Sequence, residues 1–222
     1  SVYLNTSSAA GVLSFSAAIT FTMGDANARY TAITDSDGDS TLDIAVTTTG
    51  NGAADVGVVL VFRNQTSMGS MTPSFSNAQT VSSGGNPAQL VAVDLDGDGR
   101  PELVYANNTT AVGNADKIAV LRNISVSGTI SFDVKQNVAV GTQPLGIAAG
   151  DLDGDGKADL AVCNAATTTV SILKNRSTVG TISLTTDVTL TGLSSPNEVS
   201  IGDFDGDSKP DLAVANNGGS TV

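Results

Sequence analysis

The sequence contains one acidic motif four times, and this repetition restricts the possible folds more than any other feature. The copies begin 59, 57 and 52 residues apart and occupy Asp35–Asp43, Asp94–Glu102, Asp151–Asp159 and Asp203–Asp211. Pro87, Pro144 and Pro196 keep the same phase, since each lies seven residues before the first Asp of its motif. A regular period of this length indicates an array of similar structural units that stack on their neighbours.

Each repeat has the pattern of several short strands. A short apolar run follows each motif, and a second, alternating run follows a polar turn, as in Leu160–Cys163 and Thr169–Leu173. Period-two alternation over short segments predicts β-strands, and no segment has a helical period. A further weak strand is predicted in each repeat near Phe15, Phe75, Phe132 and Leu184. Four short strands in about 55 residues is the size of a propeller blade.

The expected fold is therefore all-β, a β-propeller-like array of four blades with about four short antiparallel strands each. Three whole repeats are predicted at 28–86, 87–143 and 144–195 of a single repeat domain, 1–222. The fourth blade is split, because 196–222 supplies its first half and 1–27 its last part.

The acidic motif has the composition of a calcium loop. Carboxylates at positions 1, 3, 5 and 9, with a glycine at position 4 for the sharp turn, offer the oxygen ligands that Ca²⁺ prefers, and the position-7 carbonyl is a further candidate. The flanking strands distinguish this loop from an EF-hand, which lies between helices. The predicted metal ligands are Asp35, Asp37, Asp39, Thr41, Asp43, Asp94, Asp96, Asp98, Arg100, Glu102, Asp151, Asp153, Asp155, Lys157, Asp159, Asp203, Asp205, Asp207, Lys209 and Asp211.

The charge count supports a metal-binding interpretation. The four motifs hold 16 of the 22 acidic residues of the chain, which has 10 basic residues and a net charge of −12. Four carboxylates in one short loop repel one another unless a cation lies among them. We therefore expect up to four bound Ca²⁺ ions. The alternative is that Asp-Gly serves only as turn chemistry.

Composition also excludes several function classes. An acidic chain has no basic surface for phosphate backbones, so we expect no nucleic-acid partner. The chain has no histidine and one cysteine, which removes histidine-dependent hydrolase mechanisms and Cys/His zinc sites. Two suitably spaced carboxylates could still hydrolyse a glycoside, but the acidic residues are nearly all in the motifs, so we expect no enzyme. There is no apolar run of 18 residues and hence no predicted membrane span.

The motif and its flanks resemble a known family. The pattern D-x-D-G-D-G-x-x-D-L-A-V, present at Asp151–Val162 and followed by T-V-S-I-L-K-N at Thr169–Asn175, is similar to the FG-GAP/VCBS-type repeat of integrin α-subunit propellers. The resemblance covers essentially the whole chain. It implies a β-propeller with Ca²⁺ between the first two strands of each blade, an extracellular location, and a role in adhesion or scaffolding. Integrin-like propellers close with seven blades, whereas this chain has material for four.

Asn-x-Ser/Thr sequons recur in phase with the motif. Asn5, Asn64, Asn123 and Asn175 occupy one repeat position, just after the predicted third strand, and Asn108 lies in a further sequon. We expect these five to be N-glycosylation sites. The alternative is that Asn is simply the turn residue of this repeat, followed by Ser or Thr by chance.

The two ends of the sequence are complementary halves of one blade. Joined in the order end to start, they read S-T-V-S-V-Y-L-N, which matches Thr168–Asn175. Three completions are open: closure within one molecule, head-to-tail pairing between molecules, or continuation in a longer array. The sequence therefore favours an extracellular, calcium-stabilised fibre or surface-scaffold subunit whose partner is itself. The alternative is an adhesin or lectin-like module that binds a cell-surface protein or glycan.

Overall fold

The computed structural model describes residues 1–8, 10–23, 27–49, 57–70, 72–108, 116–219 and 222. These residues form fourteen strands: β1 (Asn27–Thr34), β2 (Asp43–Thr49), β3 (Gly57–Phe62), β4 (Gln79–Gly85), β5 (Pro87–Val93), β6 (Glu102–Asn107), β7 (Lys117–Leu121), β8 (Gln136–Ala139), β9 (Pro144–Gly150), β10 (Asp159–Asn164), β11 (Thr169–Asn175), β12 (Leu184–Leu190), β13 (Pro196–Gly202) and β14 (Asp211–Asn216). Within these ranges no helix has the length and hydrophobicity needed to cross a membrane.

The strands form antiparallel sheets in chain order. Blade 1 is β1–β4, blade 2 is β5–β8 and blade 3 is β9–β12, each a four-stranded meander, while β13 and β14 form a two-stranded sheet that we call the half-blade. The chain start forms a further short ladder, which we call the N-terminal hairpin (residues 1–8 and 10–19). Its bridges are Val2 to Ile19 and Asn5 to Phe15. The predicted all-β blades are confirmed. Of the apolar positions predicted for a weak fourth strand, Leu184 begins β12, whereas Phe15, Phe75 and Phe132 form isolated bridges.

The hydrophobic core lies between blades, as expected when sheets with short strands stack face to face. Leu95 and Val120 of blade 2 pack with Ile147 and Leu173 of blade 3. A second cluster joins blades 1 and 2, and a third joins blade 3 to the half-blade through Cys163 and other side chains. Consecutive first strands pack on one another in the order β1, β5, β9, β13. Each blade therefore depends on its neighbours for a buried core.

The two parts of the split blade lie at opposite ends of this stack. Phe21 and Met23, which follow the N-terminal hairpin, pack on blade 1, and the Phe21 and Phe62 ring centroids are 5.9 Å apart. The half-blade packs on β9 and β10 of blade 3. Among the described residues β14 is paired with β13 alone, so the hairpin and the half-blade are both present but not joined.

Candidate calcium loops

Each acidic motif forms the loop between the first and second strands of a blade. In blade 3, Asp151 at position 1 accepts the backbone N–H of Gly154 at 2.8 Å and that of Gly156, also at 2.8 Å. Asp153 at position 3 accepts the N–H of Asp155 at 3.2 Å. The other three loops form the same bonds. The carboxylates thus fold the loop around themselves, which explains why the motif keeps its spacing.

Positions 4 and 6 require a left-handed backbone. Position 4 is glycine in all four loops, with φ between 72° and 84°. Position 6 is Gly99 or Gly156 in the middle loops, where φ is 85°, but Ser40 and Ser208 occupy it in the outer loops at φ of 69° and 68°. Glycine adopts these angles without a steric penalty and serine does not. The two serine loops therefore carry backbone strain that the two glycine loops lack.

The structure brings three carboxylates together in every loop, with candidate ligand oxygens within 4.8 Å of one another. Positions 1 and 3 belong to all four clusters. Position 9 completes the clusters of the last three loops through Glu102, Asp159 and Asp211, whereas position 5, Asp39, completes the first. The predicted side-chain ligands therefore converge in part, and the position-7 carbonyls of Thr41, Arg100, Lys157 and Lys209 stay a prediction.

The position-9 carboxylate is buried in all three complete blades. Asp43, Glu102 and Asp159 are at most 2% exposed. Each accepts two backbone N–H groups, one from position 2 and one from the asparagine after the third strand; for Asp159 the donors are Leu152 at 3.1 Å and Asn175 at 2.8 Å. Burial raises the pKa of all three, that of Glu102 to about 7. A cation beside them would favour the charged form.

Basic side chains at or just after the end of the third strand contact positions 3 and 5, a feature that the motif alone does not reveal. Arg63 pairs with Asp37 and Asp39, and the same pairing is made by Arg122 in blade 2 and Lys174 in blade 3. The sequence carries a signal for these ion pairs, because a basic residue directly precedes the sequon asparagine in all three blades.

The position-7 side chains contact the position-5 carboxylate of their own loop or the segment after the third strand. Thr41 donates to Asp39, and Lys209 pairs with Asp207. Arg100 donates to the Ser125 carbonyl at 3.1 Å and Lys157 to the Ser177 carbonyl at 2.7 Å. Arg100 also binds Asp98 and lowers the pKa of that carboxyl below its usual value. The bonds of Arg100 and Lys157 to the two carbonyls join the loop to the segment after the third strand of the same blade.

Comparison with protein families agrees with this architecture. The family model of the FG-GAP-like repeat matches residues 35–105 and 108–162. The FG-GAP repeat model matches residues 195–222. The chain belongs to the FG-GAP repeat family. The FG-GAP blades are of the integrin-α type, and no curated protein matches the chain.

The donor set of the FG-GAP loops fits calcium. Each cluster offers only carboxylate oxygens, which suit hard cations, and the chain lacks histidine. The four Asp-rich triads are consistent with FG-GAP calcium sites. In a loop of this charge, the ion would offset the mutual repulsion of the carboxylates.

The sequon asparagines of the interior FG-GAP blades are buried hydrogen-bond donors. Asn123 and Asn175 are 0% and 1% exposed. The Nδ2 of Asn175 donates to the carbonyls of Leu95 and Ala158, both at 2.9 Å. A glycan on Nδ2 would have to replace one of these hydrogen bonds inside a packed junction. N-glycosylation of Asn5, Asn64, Asn108, Asn123 and Asn175 stays a prediction.

The acidic loops also form the junctions between FG-GAP blades. Asp37 of blade 1 accepts the N–H of Gly128 from blade 2 at 3.0 Å, and Asp96 of blade 2 accepts that of Gly180 from blade 3 at 2.9 Å. The same position-3 oxygens pair with the basic residues Arg63 and Arg122. A position-3 carboxylate therefore belongs to both the candidate metal cluster and the contact with the next blade.

Proposed function

We propose that this FG-GAP protein is an extracellular, non-enzymatic structural protein that calcium stabilises and that assembles head to tail. The observation that carries the proposal is the double use of position 3. Asp37 and Asp96 each lie in an acidic cluster and accept a hydrogen bond from the following blade. Holding these carboxylates in place with a cation would therefore stabilise both the loop and the blade junction.

The stabilisation follows from charge. Without an ion, each loop gathers four carboxylates, of which at least one is buried or half-buried. Bringing them together costs free energy that the unfolded chain avoids, so ion binding adds to the free energy of folding. Extracellular modules bind Ca²⁺ with dissociation constants of about 10⁻⁴–10⁻³ M, which suits millimolar extracellular calcium. The protein would be stiff outside the cell and looser where calcium is scarce.

Assembly follows from the unpaired strand edge. Exposed edges pair readily with other chains, and a head-to-tail contact gives a ring or an open filament. The half-blade has such an edge at β14, and the N-terminal hairpin supplies two strands at the other end of the stack. One molecule could therefore add to the next without any new fold element.

Electron microscopy and mass measurement of the protein, in millimolar calcium and after chelation, test this function. We expect filaments or multimers in calcium that dissociate when it is removed. A particle of monomer mass under both conditions would contradict the structural role. That outcome would favour the alternative adhesin, to be pursued with protein and glycan binding screens.

A further inference from the structure

The two interior blade junctions share one set of contacts around the asparagine that follows the third strand. Asn123 Nδ2 donates to Pro101 of its own blade and to Ser36 of the preceding blade, at 3.0 and 2.9 Å. Asn175 repeats this with Ala158 and Leu95. In motif terms, the acceptors are the position-8 carbonyl of the same blade and the position-2 carbonyl of the blade before.

The half-blade presents the acceptors of this set without the donors. Asp211 accepts the Phe204 N–H at 2.9 Å, but the structure shows no second backbone donor to it among the described residues, whereas its interior counterparts have two. Phe204 at position 2 is 63% exposed, while Leu95 at the same position of blade 2 is 2% exposed beneath blade 3. The half-blade therefore has the acceptor side of an interior junction.

The N-terminal hairpin presents the missing donors in the conformation of an interior blade. The Ser7 N–H donates to Asn5 Oδ1 at 2.9 Å, as Ser177 does to Asn175. The Ser14 N–H donates to Ser7 Oγ at 2.9 Å, which matches a bond at the same place in blade 3. Asn5 itself is exposed. The hairpin thus has the shape of the outer half of a blade that lacks its inner half.

We propose that the N-terminal hairpin of a second copy completes the half-blade, and that this junction depends on calcium more than the interior blades do. This inference rests on the head-to-tail assembly proposed above. Its register follows from the complete blades. In each of them, the residue two positions after the position-9 carboxylate faces the residue three positions before the asparagine. These pairs are Ala45 with Val61, Val104 with Val120, and Ala161 with Ile172. Ala213 of one copy then faces Val2 of the next. Asn5 donates to the Pro210 carbonyl beside it and to the Leu152 carbonyl of blade 3.

A second copy fits better than the same chain because the two parts are held at opposite ends of the stack. The hairpin is anchored on blade 1 through Phe21, and the half-blade packs on blade 3. Blade 2 lies between them. The hairpin also brings no charged side chain to the acidic loop, since residues 1–23 contain no Asp, Glu, Lys or Arg. The new contact would continue the blade interface that the chain already forms internally.

The calcium dependence follows from Leu4. In blades 1 to 3 the residue before the asparagine is Arg63, Arg122 or Lys174, and its charge pairs with positions 3 and 5. At the junction this place is taken by Leu4. The fourth loop would then keep only Lys209, which pairs with Asp207 and is largely exposed. With less built-in positive charge, this loop needs a bound cation more than the others do.

Disulfide trapping tests the register of the junction and whether the hairpin that completes the half-blade comes from a second copy. Val2→Cys combined with Ala213→Cys should give a ladder of covalent multimers on oxidation in calcium. The control, Val2→Cys with Ala215→Cys, moves one thiol two residues along the strand, about 7 Å, and should not cross-link. The native Cys163 is buried and its pKa is raised to about 12, so it does not interfere. A cross-linked monomer would overturn the second copy as occupant, and equal cross-linking of both pairs would overturn the register.

Leu4→Arg tests the calcium dependence, with Leu4→Met as the uncharged control. We expect Leu4→Arg to lower the calcium concentration at half-assembly roughly two- to fivefold, as for an added ion pair at a partly exposed site, and Leu4→Met to leave it unchanged. An unchanged midpoint for Leu4→Arg would refute the role of Leu4. If filaments form in calcium but the disulfide ladder is absent, this inference fails while the structural function stands. If no filament forms at all, both fail.

Discussion

Replacing Asn175 by alanine is the most direct test of how the blades are held together. Its side chain makes three hydrogen bonds of 2.9 Å: Nδ2 donates to Leu95 and Ala158, and Oδ1 accepts the Ser177 N–H. A typical hydrogen bond contributes about 1 kcal/mol, and leaving a buried polar group unpaired costs about 1–3 kcal/mol. Asn175 is 1% exposed, so water cannot replace the lost bonds. We expect Asn175→Ala to lower the free energy of unfolding by about 3–5 kcal/mol.

Asn64→Ala is the matched control. Asn64 occupies the same repeat position, donates to Leu42 of its own blade at 3.1 Å and accepts the Thr66 N–H at 3.0 Å. It is half-buried, and the structure gives it no bond to another blade among the described residues. We expect a loss of about 1–2 kcal/mol, since solvent can partly replace its partners.

Thermal melting in saturating calcium, combined with amide hydrogen exchange, measures the difference. For a chain of this size 1 kcal/mol corresponds to about 2–4 °C in melting temperature, so Asn175→Ala should melt roughly 10 °C below the native protein. Because stacked repeats can open separately, exchange should rise most where blade 3 meets blade 2. Equal losses for the two variants would refute the cross-blade role of Asn175, as would a glycan found on Asn175 of the folded protein.

Three further predictions concern the loops. Asp153→Ala and Asp96→Ala should each reduce the increase in melting temperature that calcium gives. In chelator, Asp153→Ala should change the melting temperature little. An equal loss of melting temperature with and without calcium would argue against a metal site. In chelator, the raised pKa of Glu102 should make stability fall as pH rises from about 5 to about 7, because the folded state keeps a proton that the unfolded state has released. Glu102→Gln should flatten this slope in urea titrations, and an unchanged slope would assign the titration to another group. Gly156→Ala should cost about 1 kcal/mol at its φ of 85°, and Ser208→Gly should not destabilise, since it relieves strain at the same position; calorimetry of the two variants checks the contrast.

The blade array and most of the candidate metal ligands could be predicted from the sequence. Both rest on local information: the period of the motif, the alternation of apolar residues, and the acidic residues held within nine positions of one another. Hydrogen bonds inside each loop join residues two to seven positions apart, so the loop conformation follows from the motif itself. This is why four copies in different places of the chain fold alike.

The cross-blade hydrogen bonds of two sequon asparagines were decided only by the tertiary structure. Asn123 and Asn175 match an acceptor pattern for sugars, yet each reaches a carbonyl 87 or 80 residues away in the preceding blade. The sequence motif is the same for exposed Asn5 and buried Asn175, so it cannot reveal which of them a neighbouring blade covers. Burial depends on the order in which blades stack, and the stacking order arises from packing between distant strands and not from any local pattern.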